Sequence, residues 1–165
     1  MSRILGIDPG SQKTGIGIID MQGNRLQYIY HTVIRTDSKA RFEARLFTLF
    51  RETKQLIRTY QPSVVAMEDV FVSKNIASAL KLGQARGSLI AACAEAELEI
   101  FPYAPTEVKQ AIVGTGRAEK SQVQYMVKML LGKKEVLQED AADALAVSIC
   151  HAHHTPMHRT TRIRP

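Results

Sequence analysis

Apolar residues come first in short runs and later at helical intervals. The run Ile4-Leu5-Gly6-Ile7 reads as a strand from Arg3 to Asp8, closed by an acid. Pro9-Gly10-Ser11-Gln12-Lys13 is rich in turn formers. Thr14 to Asp20 reads as a second strand, in which Gly15 and Gly17 alternate with Ile16 and Ile18. Glycines on one strand face imply that another element approaches that face closely. Gln22-Gly23-Asn24 turns the chain into a third strand, about Arg25 to Thr36. Turns this short make the three strands an antiparallel meander.

The period then changes. Phe42, Leu46, Leu49, Phe50, Leu56 and Ile57 form an apolar stripe at helical spacing, predicting a helix from about Lys39 to Tyr60. Asp37 or Ser38 is placed to cap it, and Pro62 ends it. Ser63 to Glu68 is a continuous apolar run ending in an acid, as a buried central strand requires. A second helix is predicted over about Asn75 to Glu97, alanine-rich and carrying Gly83 and Gly87. Glu99 to Tyr103 is a fifth strand, and Pro105 opens a short helix through Ile112. After the loop Gly114-Thr115-Gly116, helices are predicted over about Glu119 to Leu131 and Glu139 to Ala152. Residues 1–152 therefore read as one domain, and 153–165 as a basic, flexible tail with little to pack.

The order β-β-β-α-β-α-β-α-α-α predicts an α/β fold: a mixed five-stranded sheet flanked by helices. Right-handed crossovers put the fourth strand beside the first. The carboxyl ends of such strands are the usual place for a site, which makes Asp8 and Glu68 neighbours. Asp140 and Asp143, three apart, share one face of the last helix. Each acid alone has an ordinary explanation. Asp8 can start a turn before Pro9-Gly10, Glu68 can sit on the surface at a strand end, and the two aspartates can favour a helix N-terminus. Together they suggest a divalent-metal site, because packed acids need a partner or a metal. Magnesium takes oxygen ligands, and a two-metal site can clamp a phosphodiester.

Charge sharpens that picture. The chain has 22 Lys+Arg against 16 Asp+Glu, a net charge of +6, and a basic balance favours polyanionic partners. An acidic metal site inside a basic protein points to cutting nucleic acid. Lys109 and Lys120 are candidates for stabilising transition-state charge, or ordinary surface lysines. Lys13, Lys74, Lys81, Arg86 and Arg117 could extend a basic surface. Phe71 reads equally as a base-stacking aromatic or a core residue.

Cys93 and Cys150 lie in apolar helical stretches without any C-x-x-C pattern, as reduced buried thiols of a cytoplasmic protein would. His151, His153, His154 and His158 fit no firm zinc spacing and read as a solvated tail. The N-terminus meets an acid at once, unlike a signal peptide. No uncharged apolar run approaches the roughly 18 residues of a membrane span, so no membrane partner is expected.

Several blocks carry a resemblance. Ile4-Leu5-Gly6-Ile7-Asp8-Pro9-Gly10-Ser11 with Thr14-Gly15 resembles the opening of the RuvC family of Holliday-junction resolvases. So do Glu68-Asp69-Val70-Phe71, the block from Ala79 to Gly87, Ala118 to Gln124, and Asp140 to Ala146. The resemblance spans about residues 3 to 152 and implies an RNase H-like fold. It implies paired, symmetric nicking of four-way junction DNA during recombination and repair, with Mg²⁺, two per subunit, and Mn²⁺ as a substitute. By it, Asp8, Glu68, Asp140 and Asp143 would be the metal-binding catalytic acids. Lys109 and Lys120 would support catalysis, and Phe71 would act at the junction. A homodimer, contacting through the helix around Gly83 and Gly87, and a branch-migration motor complex as partner are implied as well. An ATPase of the same broad fold, a nuclease that processes ribosomal RNA, and a non-catalytic DNA-binding module are the rival classes.

Overall fold

The five predicted strands form a single sheet in a computed structural model, which describes residues 1–69 and 75–158. The elements are β1 (Ser2–Asp8), β2 (Lys13–Gln22), β3 (Arg25–Arg35), α1 (Phe42–Tyr60), β4 (Val64–Glu68), α2 (Ile76–Glu95), β5 (Ile100–Tyr103), α3 (Pro105–Val113), α4 (Lys120–Leu130) and α5 (Glu139–His158). Sheet order is β3-β2-β1-β4-β5. β1 to β3 form the antiparallel meander, while β4 lies parallel to β1 and to β5. The fourth strand therefore sits beside the first, as the crossover rule requires.

Side chains alternate across a strand, so each strand feeds two cores. Leu5, Ile7, Ile16, Ile18, Val65 and Met67 point to the side covered by α1 and α2, where they meet Leu49, Ile57, Ala85 and Leu89. Ile4, Ile19, Val64 and Ala66 point to the other side, against α3, α4 and α5. Burying each large aliphatic side chain contributes roughly 1.5–3 kcal/mol. Among the described residues, no helix is long and apolar enough to cross a membrane.

The second face carries the glycines. A Cβ on Gly15 would lie 1.9 Å from the Asp140 carbonyl oxygen, one on Gly6 2.1 Å from that of Ala144, and one on Gly17 2.6 Å from the Leu145 amide nitrogen. The approaching element inferred from Gly15 and Gly17 is α5, whose backbone rests on bare strand.

Two expectations fail. Neither Asp37 nor Ser38 caps α1. The helix starts at Phe42, with Arg41 as its N-cap and no side-chain cap. Asp37 instead accepts the Lys39 amide at 2.9 Å in a turn ahead of the helix. Nor does the last helix stop near Ala152: α5 continues to His158. His151, His153 and His154 have partners there and do not form a solvated tail, while the side chain of His158 lies outside the described residues. His151 is buried and shares a 2.8 Å hydrogen bond with the Tyr103 hydroxyl. His153 Nδ1 lies 3.1 Å from the Ala111 carbonyl, and His154 Nδ1 lies 2.8 Å from the Cys150 carbonyl. Both cysteines are free and buried, as expected, and burial pushes each thiol up to about 12.

Candidate active site

β1 and β4 run parallel in a register that ends with Ile7 opposite Met67. The next residue on each strand is the acid, and strand alternation turns both acids toward α5. Asp8 and Glu68 lie close enough for each carboxyl to act on the other. Asp143 reaches the same place from the second turn of α5, which the glycine seam holds against the sheet. These three acids line one cavity of about 380 Å³ with Lys109, Lys120, Pro105, Val108, Val123 and Ala146.

Local sequence explains the cavity's cationic wall. Pro105 opens α3 because a helix's first residue needs no amide hydrogen. Glu107 accepts the Ala104 amide at 2.7 Å across the first turn. That places Val108 and Lys109 on the wall. In α4, Gln122 accepts the Glu119 amide at 2.9 Å and fixes the turn that carries Lys120. Lys120 Nζ pairs with Asp143 Oδ2 at 2.8 Å and also with Glu139.

The electrostatics follow from crowding like charges in a partly dry place. Burial, then the charge and hydrogen bond of Glu68, then Asp143 and Asp140 push Asp8 up to about 8. Burial raises Glu68 as well, against the help of Asp8, Lys120 and Lys109. Burial also raises Asp143, opposed by Lys120. For the Lys120 ammonium burial acts downward, but Asp143 and Glu139 outweigh it and raise its pKa. These acids lack enough positive charge, and their oxygens suit hard cations such as Mg²⁺. Among the described residues no three such groups form one ligating set. Asp8 faces Glu68, and Asp143 faces Lys120. The donor chemistry fits a divalent cation.

The other predicted residues divide. Asp140 does not line the cavity, but its charge bears on Asp8 and Asp143. Arg117 and Lys81 are exposed and away from the lining. Arg86 bonds Asp69 at 2.8 Å, and its Nε is buried with no hydrogen-bond partner among the described residues. In this arrangement Arg86 ties α2 to the end of β4. Phe71 and Lys74 lie outside the described residues. Sequence reasoning missed Glu139 as a partner of Lys120, although it stands four residues before Asp143 on the same helix face.

Comparison with known proteins agrees with this geometry. Residues 4–151 match the family model described as crossover junction endodeoxyribonuclease RuvC. The chain is 57% identical over 154 residues to the crossover junction endodeoxyribonuclease RuvC of Geobacter sp. strain M21, covering 93% of this chain and 94% of that protein. It is 58% identical over 150 residues to that of Citrifermentans bemidjiense, covering 91% and 92%. In structure it is similar to T. thermophilus RuvC in complex with a Holliday junction substrate, with a TM-score of 0.91, 31% identity, and 96% and 97% of the two chains covered.

Proposed function

This chain belongs to the RuvC family of crossover junction endodeoxyribonucleases, and from that premise we propose that it resolves four-way DNA junctions by paired, symmetric nicking in recombination and repair. The observation that carries the reading is convergence. Acids from β1, β4 and α5, far apart in sequence, meet two lysines at one cavity. The reaction is hydrolysis of a phosphodiester bond without a covalent enzyme intermediate, leaving 5′-phosphate and 3′-hydroxyl ends.

Asp8, Glu68 and Asp143, with Asp140 beside them, would hold divalent cations, Mg²⁺ by preference and two per subunit, with Mn²⁺ able to replace it. Such cations supply Lewis-acid stabilisation of the charge that builds on the phosphate oxygens. The protein's own part is placement. β1 and β4 fix Asp8 and Glu68 on rigid strands, and Val108, Val123 and Ala146 keep the walls apolar, so each charge interaction is strengthened. Lys109 and Lys120 bring positive charge to the cavity for the transition state. Phe71 would stack on an unpaired base at the junction, and Lys74, Lys81 and Arg117 would follow the backbone. Arg86 joins them only if it leaves Asp69.

Two strands of like polarity must be cut, so two copies should act together. A stripe along α2 supports a two-fold contact: Ile76 and Leu80 are exposed, and among the described residues no other element comes near the Cβ positions of Gly83 and Gly87. A branch-migration motor complex would deliver the junction.

The test is cleavage of a labelled, mobile four-way junction by wild type and Asp8→Asn, with Mg²⁺ and with EDTA, beside a linear duplex and a structured RNA. Symmetric nicks confined to the junction, absent with EDTA and in Asp8→Asn, are expected. Junction binding without metal-dependent cutting by wild type would leave a non-catalytic binder, and preferential cutting of RNA would move the reading to RNA processing.

A further inference from the structure

We propose that Glu139 is a positioning residue that keeps Lys120 at the rim of the cavity when a divalent cation takes Asp143. The inference rests on reading Asp143 as a cation ligand. Lys120 is the first residue of α4, and Glu139 is the first residue of α5. Glu139 and Asp143, one helical turn apart, flank the same ammonium. Their settings differ: the Asp143 side chain is 23% exposed and lines the cavity, whereas that of Glu139 is 63% exposed and lies outside it.

Asp143 is thus wanted by two cations, the lysine and the metal ion. A lysine with no other anchor would compete for it, and once displaced its flexible stem would swing into water. Glu139 changes that exchange. Because Glu139 shares the ammonium with Asp143, the pair the ion must break is weaker than an undivided one, and Lys120 keeps its other pair and stays at the rim of the cavity. Lys13, from the start of β2, also bears on Glu139, as does the like charge of Asp143.

The prediction can be read by Mn²⁺ binding, followed through the paramagnetic resonance signal of the free ion. The proteins are wild type, Asp143→Asn, Glu139→Gln, Lys120→Met and the Glu139→Gln/Lys120→Met double variant. Glu139→Gln is expected to raise the Mn²⁺ Kd about three- to fivefold, the scale of an exposed ion pair. Lys120→Met is expected to tighten binding, and adding Glu139→Gln to it should shift Kd by less than about twofold. Single-turnover cleavage at saturating Mn²⁺ should be slower in Glu139→Gln and partly restored by Glu139→Asp. An equal loss of affinity from Glu139→Gln with and without Lys120 would make Glu139 a general negative charge and overturn the proposal, as would unchanged affinity in the single variant. Normal Mn²⁺ binding by Asp143→Asn would instead overturn the ligand reading beneath it.

Discussion

Asp8 and Asp20 lie on the same antiparallel strand pair, at opposite ends, and have opposite fates. Asp20 is 5% exposed on β2, directly across from Arg3. Arg3 donates to both its oxygens, from Nε at 2.8 Å and from Nη2 at 2.9 Å, and a third donation at 2.7 Å reaches the Tyr60 carbonyl. That guanidinium holds the Asp20 carboxyl below its ordinary range. Five residues along β1, roughly 17 Å away, Asp8 faces further carboxylates and is pushed up to about 8. One end of the strand pair satisfies its charge internally. The other leaves negative charge over, and that surplus draws a cation, which in turn can draw a phosphate. The same burial serves stability where a partner is built in and function where one is withheld.

The largest effect should come from breaking the seam that brings α5 to the crowded end. In Gly15→Val the new side chain meets the Asp140 backbone, which cannot fold away as a side-chain tip would. The N-terminal turn of α5 must lift, taking Asp140 and Asp143 with it. A stability loss of at least about 3 kcal/mol is expected in urea, and junction cleavage at a temperature where the variant stays folded should fall about 10²-fold or more. The Arg3–Asp20 end should keep its geometry. Cleavage near wild-type rate would mean that the acids do not depend on close contact between sheet and helix.

Next in size is Asp20→Asn, which removes the charge from the satisfied end. The guanidinium loses its carboxylate but stays partly solvated, so the cost should be about 2 kcal/mol. Cleavage at saturating Mg²⁺ should not change. A variant as stable as wild type would show that the pair at this end contributes specificity of pairing and no stability.

The two ends were not equally legible in the sequence. Asp8 and Glu68 close apolar runs whose order forces them together, and Gly15 and Gly17 announced a close approach to that face without saying which element makes it. The place of β4 beside β1 and the meeting of Asp8 with Glu68 follow from those local signals, whereas Asp140, expected with them, does not line the cavity. The Arg3–Asp20 bond depends on cross-strand register, which the alternation of Ile16 and Ile18 narrows but does not specify. Glu139 stayed hidden for a similar reason: its partner Lys120 belongs to another helix, and no spacing within α5 reveals an inter-helix ion pair. Arg86 looked like a free cation, and only the path of α2 past the end of β4 shows it bound to Asp69. The length of α5 was misread because His153 and His154 are polar by type; His153 finds its partner on α3, distant in sequence, and His154 bonds back to Cys150 within the helix.

The smallest effect carries the clearest sign. A carboxyl raised to about 8 from an unfolded value near 3.8 binds its proton more tightly when the protein is folded. Its contribution to stability is full below pH 3.8 and is lost as pH rises toward 8. Glu68 and Asp143, also raised, act in the same direction. Asp20 is lowered, so its contribution is full above 3.8 and is lost as pH falls through its folded value. In EDTA the melting temperature should therefore decline between pH 5 and 8, and fall again on the acid side below about pH 4. Asp8→Asn should remove part of the first decline and raise stability at pH 8 by on the order of 1 kcal/mol, well short of the full shift because the acid keeps some contact with water. Asp20→Asn should remove the acid limb and leave the first decline intact. Adding Mg²⁺ should flatten the slope between pH 5 and 8 in wild type but much less in Asp8→Asn, because the ion takes the place of the proton. Thermal melts of the three proteins across pH, with and without Mg²⁺, measure all of this at once. If Asp8→Asn melts below wild type at pH 8, the carboxylate is stabilising where it stands, and the surplus of negative charge at that end of β1 is already satisfied within the protein.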